Sequence, residues 1–425
     1  MSANAFGQTL AMRLSPTVHH PIRIALGISL TAACAIGAWA EEAKPREFFA
    51  DQPKGLGEHF TGWKLNYVGE VFGNLSGGPQ QGAIYEGYVK LGLGINLEKL
   101  AGWKDTVFYA NFLYPHGGSL TQNYVGDLNV VSNIDAYDSA RLFKCWVQKN
   151  FAGNRFLLRA GIMAVDKEFF VSEGAGLFLN SGFGAFPVIG QDLVAPVYPV
   201  SAPGVRLLWK ASKVLSFRAA VFSGDVGAQT VNQHNTRWNL RASNGVSAFL
   251  EAVGKVNATG DGLPGTYKLG GFYDSKSFDD LRGGVPHHGN YGLYAIADQR
   301  VWREGLGDAA AQGLGIFARF ALAPQDRSFV AFDCEGGATY TGLLPGRDGD
   351  VLGLGVLYAK VSKDARDDTG TPWPTHHETV IEVSYQASIN DWLSVQPDFQ
   401  YIFNPGAVHG GRAAAVAGLR FSLSF

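Results

Sequence analysis

The side chains of this chain that can do chemistry sit at every second position of apolar-patterned segments. They are Glu70, Glu86, Lys90, Lys144, Trp146, Arg159, Arg206, Arg319, Asp398 and Arg420, and the same spacing adds Lys64, Arg218, Glu251, Lys268 and Glu382. Carboxylates accept hydrogen bonds, ammonium and guanidinium groups donate them, and an indole offers an apolar face. An arginine fork also spans two neighbouring acceptors. That is the chemistry of holding a polar solute. A second group lies in residues 166–203, with Glu168, Phe169, Phe170, Glu173, Phe178 and Phe183, and with Phe186, Tyr198 and Asp192 besides. A segment this aromatic has something to bury, so it is expected to fold inward and narrow whatever it enters.

Bond-breaking chemistry has no comparable support. The chain holds no Gly-x-Ser-x-Gly elbow, no Walker loop and no dinucleotide fingerprint. His287-His288 and His376-His377 are adjacent pairs without ligand spacing around them. Residues 257–262 and 347–350 lack the spaced carboxylates and closing Glu of a calcium loop, and turn chemistry explains them. No cofactor and no metal are expected. With 35 Lys+Arg against 37 Asp+Glu, nothing suggests a nucleic-acid partner.

Strands must position these residues. From Lys64 onward, Lys64, Asn66, Glu70 and Asn74 alternate with Leu65, Tyr67, Val71 and Leu75, which is the period of a strand with one wet face. Comparable runs recur near 83–96, 106–114, 135–150, 154–165, 204–211, 214–223, 245–256, 265–274 and 289–302. They continue near 313–322, 328–342, 351–361, 378–388, 392–403 and 413–425, giving about sixteen segments long enough to cross a bilayer as tilted strands. Tight links at 151–153, 211–213 and 390–391 alternate with long stretches at 116–134, 166–203, 224–244, 275–288 and 362–377. Short turns on one rim and long loops on the other predict an all-β transmembrane antiparallel barrel. Residues 97–105 and 303–312 are long for the short-turn rim. Leu419, Phe421, Leu423 and Phe425 share the lipid face of the last segment, an aromatic girdle position that also resembles an assembly signal.

A two-domain β-sandwich would show a linker with a change of composition, and a propeller would show a repeat; neither is visible. Residues 1–40 carry Arg13 and Arg23, an apolar run from Ile24 to Gly37 and then Ala38-Trp39-Ala40, which reads as a secretory signal. Residues 41–62 are expected to be a short periplasmic segment and 63–425 the barrel. Of three cysteines, Cys145 and Cys334 lie beyond the signal, too few for a disulfide framework.

Seven stretches carry a resemblance. They are Val71-Phe-Gly-Asn-Leu-Ser-Gly-Gly78, Leu97-Glu-Lys-Leu-Ala-Gly-Trp103, His116-Gly-Gly-Ser-Leu120, Phe169-Phe-Val-Ser-Glu173 with Leu179-Asn-Ser181, Ala202-Pro-Gly-Val-Arg206, Leu343-Leu-Pro-Gly-Arg-Asp348 with Leu352-Gly-Leu-Gly355, and Gln396-Pro-Asp-Phe-Gln-Tyr-Ile402 with Asn404-Pro-Gly406. In this order they resemble the OprB family of carbohydrate-selective porins. The resemblance implies a sixteen-stranded outer-membrane channel for glucose and related small sugars, inserted by barrel-assembly machinery through the strand bearing Phe421 and Phe425. The sequence departs from the family after Arg159-Ala-Gly161, where Ile162-Met163 stand in place of a second basic residue; this bears on the binding ring and the preferred sugar.

A sugar offers hydroxyls and an apolar ring face, so the inward set suits it, and Trp146, Arg159, Glu86 and Arg206 are expected at the constriction. Mixed inward charge argues against strong ion selectivity. The alternatives are a porin for ions and general solutes, and a barrel hydrolase. For the latter, His59, His116, His234 and His409 supply side chains that nothing in the sequence pairs.

Overall fold

A computed structural model describes residues 62–425, apart from 229, 239, 258–261, 306–310, 366–376 and 409. The leader expected over 1–40 and nearly all of the segment expected over 41–62 lie outside the described residues.

Alternation becomes sixteen strands. These are β1 Gly62–Ser76, β2 Gly82–Asn96, β3 Thr106–Gly117, β4 Arg141–Phe151, β5 Phe156–Met163, β6 Ala202–Lys210, β7 Leu215–Ser223 and β8 Val246–Val256. They continue as β9 Gly265–Phe278, β10 His287–Arg300, β11 Gly313–Leu322, β12 Val330–Thr341, β13 Val351–Val361, β14 His377–Asn390, β15 Leu393–Phe403 and β16 Ala414–Ser424. Each pairs antiparallel with its chain neighbours, and β1 pairs with β16 to close the barrel. Closure removes both free edges, so the strand N–H and C=O rows have partners within lipid. The seam extends to Phe425, whose N–H donates to the Leu65 carbonyl at 2.8 Å while its own carbonyl accepts from Leu65.

Period two sorts the two faces. On β8, Leu250 is 64 % exposed and Glu251 beside it 2 %. Leucines and valines therefore meet lipid, and charged residues meet the lumen. Trp209, Phe217, Trp302, Trp392 and Phe425 are exposed near the short-turn rim, where amphipathic rings suit a membrane interface. One long turn on that rim is explained by α1, Leu97–Ala101, capped by the Asn96 side chain and ended by left-handed Gly102.

Three boundaries differ from expectation. The strand placed at 135–150 begins at Arg141, because residues before it enter the lumen rather than the wall. β9 and β10 run to Phe278 and from His287, which shortens the loop placed at 275–288. Their lumen sides, Asp274 and Asn290, stay buried against neighbouring strands, so pairing continues further outward. Cys145 and Cys334 are free.

The lumen is where the core sits. Residues 164–201 fold inward, and so do residues 118–140, a second insertion the sequence did not announce. The main buried cluster joins Phe169, Phe170, Phe178, Phe183 and Phe186 of the longer loop to Phe249, Tyr294 and Phe317 of the wall. Lumen-facing glycines make room for it. A Cβ on Gly353 of β13 would lie 2.4 Å from Leu177 Cδ2, and one on Gly355 would lie 2.9 Å from Phe178 and Phe183 ring carbons. A larger side chain at either place would push the loop off the wall.

Candidate functional site: the fastened loops of the lumen

A loop inside a barrel carries backbone groups away from bulk water, and each N–H and C=O then needs a partner. Backbone carbonyls take many of these N–H groups, and wall carboxylates take several of the rest. Phe170 N–H donates to Glu251 of β8 at 2.9 Å, and Gly174 N–H and the Ser172 hydroxyl donate to Asp298 of β10 at 3.0 and 2.6 Å. Leu179 and Asn180 N–H donate to the two oxygens of Glu382 on β14 at 2.5 and 3.1 Å. Val188, in the short helix α2 (Pro187–Asp192), donates to Asp333 of β12 at 2.7 Å. In return Arg319 of β11 donates to the carbonyls of Phe183 and Gly182 at 2.5 and 3.2 Å. These bonds hold the loop to five separate strands.

The shorter insertion is fastened the same way. Leu128 and Asn129 N–H donate to Glu378 of β14 at 2.7 and 2.8 Å. The Ser132 hydroxyl donates to Glu70, which also pairs with Arg420 Nε at 2.5 Å; Arg420 reaches Asn133 Oδ1 at 2.8 Å. Between the insertions, the Tyr198 hydroxyl donates to the Ile134 carbonyl at 2.8 Å. Arg141 joins three loops: Nη1 donates to the Pro199 carbonyl at 2.5 Å, Nη2 to that of Gln233 at 3.2 Å, and Nε to Ser139 at 2.8 Å.

At the root of the longer loop, Glu168 lies between Arg159 of β5 and Arg206 of β6, which face each other in register. Arg159 Nη1 donates to one oxygen, and Arg206 Nε reaches the other at 3.1 Å. Gln148 Oε1 accepts from both arginines, at 2.8 Å from Arg159 Nη2 and 3.2 Å from Arg206 Nη2. The Arg159 guanidinium stacks 3.7 Å from the Trp146 ring centre, and that ring leans on Tyr109. Burial works against ionising Glu168, yet Arg159 and Arg206, with Lys144 behind them, hold its carboxyl below the usual range.

Of the four residues expected at the constriction, the structure therefore brings Trp146, Arg159 and Arg206 together and places Glu86 apart, opposite Glu70 on β1. Trp146, Arg159 and Arg206 are each 2 % exposed; the arginines are bonded to Glu168 and Gln148 and the indole stacks on Arg159, so together they position the loop. Arg319 and Arg420 do the same elsewhere. Asp398 accepts from Gln400 Nε2 at 3.1 Å. Lys144 is buried, Lys90 is half-buried facing the lumen, and Glu173 is exposed at the loop surface. Met163 faces inward among buried apolar side chains, so the missing basic residue is replaced by packing.

Sequence reasoning passed over Arg141, Gln148, Asp333, Glu335 and Glu378. Parity held the signal for several: Gln148 follows Trp146 by two, Glu378 precedes Glu382 by four, and Asp333 and Glu335 flank Cys334. Among the described residues, no lumen-facing strand carboxylate is more than 9 % exposed; the set is Glu70, Glu86, Glu251, Asp274, Asp298, Asp333, Glu335, Glu378, Glu382 and Asp398.

A closed barrel of sixteen antiparallel strands, narrowed from within by fastened loops, defines a porin of the bacterial outer membrane. Residues 80–425 match the model of the family described as "Carbohydrate-selective porin, OprB family", and the chain belongs to that family. It is 26 % identical over 411 residues to Porin B of Pseudomonas aeruginosa, covering 85 % of this chain and 87 % of that one. It is 25 % identical over 386 residues to the putative porin QuiX of Acinetobacter baylyi, covering 83 % and 86 %. The high-pH structure of Pseudomonas putida OprB superposes with a TM-score of 0.76 over 86 % of this chain and 94 % of that chain, at 24 % identity, which is a likeness of fold. Family and relatives are channels, not enzymes, and the protein is a carbohydrate-selective porin.

Proposed function

We propose that the solutes are glucose-type monosaccharides, passing down their gradient between the inserted loops and the lumen wall. The observation that supports this is the fastening of residues 164–201 inside the lumen to β8, β10, β11, β12 and β14, an arrangement suited to passing only small solutes. Half-buried Lys90, Asn133, Asp135 and Tyr198 beside the loops are the contacts for a sugar: a donor, an amide, an acceptor and a ring face. Arg159, Trp146 and Arg206 keep the constriction by holding Glu168. Weak, separate contacts suit conduction, because a tightly held solute would not leave.

Export by the 1–40 leader, embedding in outer-membrane lipid through the leucine-rich outer face, and insertion by barrel-assembly machinery through β16 with Phe421 and Phe425 complete the reading. The test is a planar-bilayer titration with glucose. Saturable partial block of the ion current is expected; a current indifferent to glucose would return the channel to a general porin.

A further inference from the structure

The lipid side of the wall is interrupted at one place. Pairing between β4 and β5 ends at Cys145 and Ile162, so the outer end of β4, from Arg141 to Lys144, runs on past its neighbour. The β7–β8 loop, residues 224–245, takes up the strand edge left there. Leu142 N–H donates to the His234 carbonyl at 3.1 Å, and Asn235 Nδ2 donates to the Leu142 carbonyl at 2.8 Å. The His234 ring donates from Nδ1 to the Ala140 carbonyl at 2.7 Å. Between loop and wall lies a groove of 330 Å³, with Leu91 of β2, Phe112 and Tyr114 of β3 and Leu142 of β4 on one side and His234 and Thr236 on the other. Leu91 faces Phe112 in register, and both side chains, like that of Tyr114, are exposed on the outer surface. A volume of this size falls at the lower end of small-ligand sites, which run from about 300 to 1,000 Å³.

The groove lies in the outer half of the wall, because β3 ends and β4 begins at the long-loop rim. An acyl chain of the outer leaflet is the apolar partner at hand there, and a concave wall gives it dispersion contacts on more than one side. The loop adds charge of one sign. Arg237 follows Thr236 and Arg241 lies four residues further on; both are exposed, and among the described residues neither makes an ion pair. The acids nearby are hydrogen-bonded within the chain: Asp138 accepts from Gly117 N–H at 3.0 Å, and Asp225 accepts from Gly227 N–H at 2.7 Å and Asn244 Nδ2 at 3.2 Å. From this we infer that the groove is a binding site for one phosphate-bearing lipid of the outer leaflet. An acyl chain lies along Leu91, Phe112 and Tyr114, and Arg237 and Arg241 take the phosphate, whose oxygens a guanidinium fork matches. The site is independent of what the lumen passes.

Native mass spectrometry of the purified full-length porin in detergent, titrated with diphosphoryl lipid A, tests this. One lipid per barrel is expected to stay bound after detergent exchange has removed the rest. Val89, which also lines the groove, faces lipid, so Val89→Trp fills the groove from the wall and is expected to lose that lipid. Retention at native occupancy would overturn the inference. If that barrel fails to assemble, Thr236→Trp fills the groove from the loop, leaves strand pairing untouched and is expected to cause the same loss. R237Q/R241Q is expected to weaken lipid A binding about tenfold, to the level of lipid A stripped of its phosphates. Unchanged affinity in that variant, or equal binding of the stripped lipid to the native barrel, would overturn the phosphate contact. Barrels that hold no lipid but associate with one another, and that Val89→Trp separates, would make the groove a contact between copies and sink the lipid site.

Discussion

The guanidinium of Arg159 lies 3.7 Å from the centre of the Trp146 ring, with its remaining donors directed to Gln148 and Glu168. The indole and the amide fix the plane of the arginine, and the arginine fixes the carboxylate that roots the longer loop. A side chain pair that reads in sequence as a sugar platform is, in the folded barrel, a bracket.

Removing the bracket has a cost. Arg159→Ala leaves Glu168 buried with Arg206 as its remaining close partner, and breaking a buried pair from one side costs about 3 kcal/mol. We expect a lower unfolding midpoint in detergent and a raised single-channel conductance as the loop root loosens. Arg159→Lys keeps the charge but not the fork, so an intermediate result is expected. Unchanged midpoint and conductance would show that the bracket carries no weight.

Deleting Phe178–Ile189 removes the loop's inner span together with its bonds to Glu382, Asp333 and Arg319. Single-channel conductance should rise and sugar block should weaken. A conductance equal to that of the intact porin would place the narrowing elsewhere.

Gly353→Val sets carbon where Leu177 Cδ2 now stands, 2.4 Å from the first added atom. Overpacking of this kind costs about 1–3 kcal/mol. The barrel should still form, because the strand's pairing is untouched, while current traces become noisier as the loop shifts. Quiet traces and native stability would mean that the loop relaxes at no cost.

Burial raises the Asp135 carboxyl to about 6, against the Ser119 hydroxyl that donates to it. Its folded pKa lies above the usual value of about 3.9, so the fold favours the proton. The stability it contributes is present at low pH and is lost as pH rises through about 6. The same proton removes a negative charge from the lumen, so the permeability of chloride relative to potassium should rise between pH 7 and pH 5. Asp135→Asn should flatten that dependence; a variant that titrates as the native chain does would exclude Asp135.

Much of this was legible in the chain. Lys64, Glu70, Leu65 and Val71 declare a two-faced strand by alternation alone, and repetition of that pattern declares the strand number. The phenylalanines of 166–203 declare an inward loop, because water would not tolerate them together. The second insertion was not legible. Residues 118–140 hold few aromatics, and part of the segment alternates well enough to pass for strand. Their place is set by Glu378, Glu70 and Arg420, which are remote in sequence.

The sequence by itself determined the wall, because a strand's period of two and the cost of a charge in lipid leave one arrangement of faces. Tertiary structure alone decided which inward charges the inserted loops claim. Glu382 and Lys210 look alike in sequence, both polar and both facing in. One is claimed by the N–H groups of Leu179 and Asn180 and the other is left to water, a difference that depends on where a distant loop comes to rest.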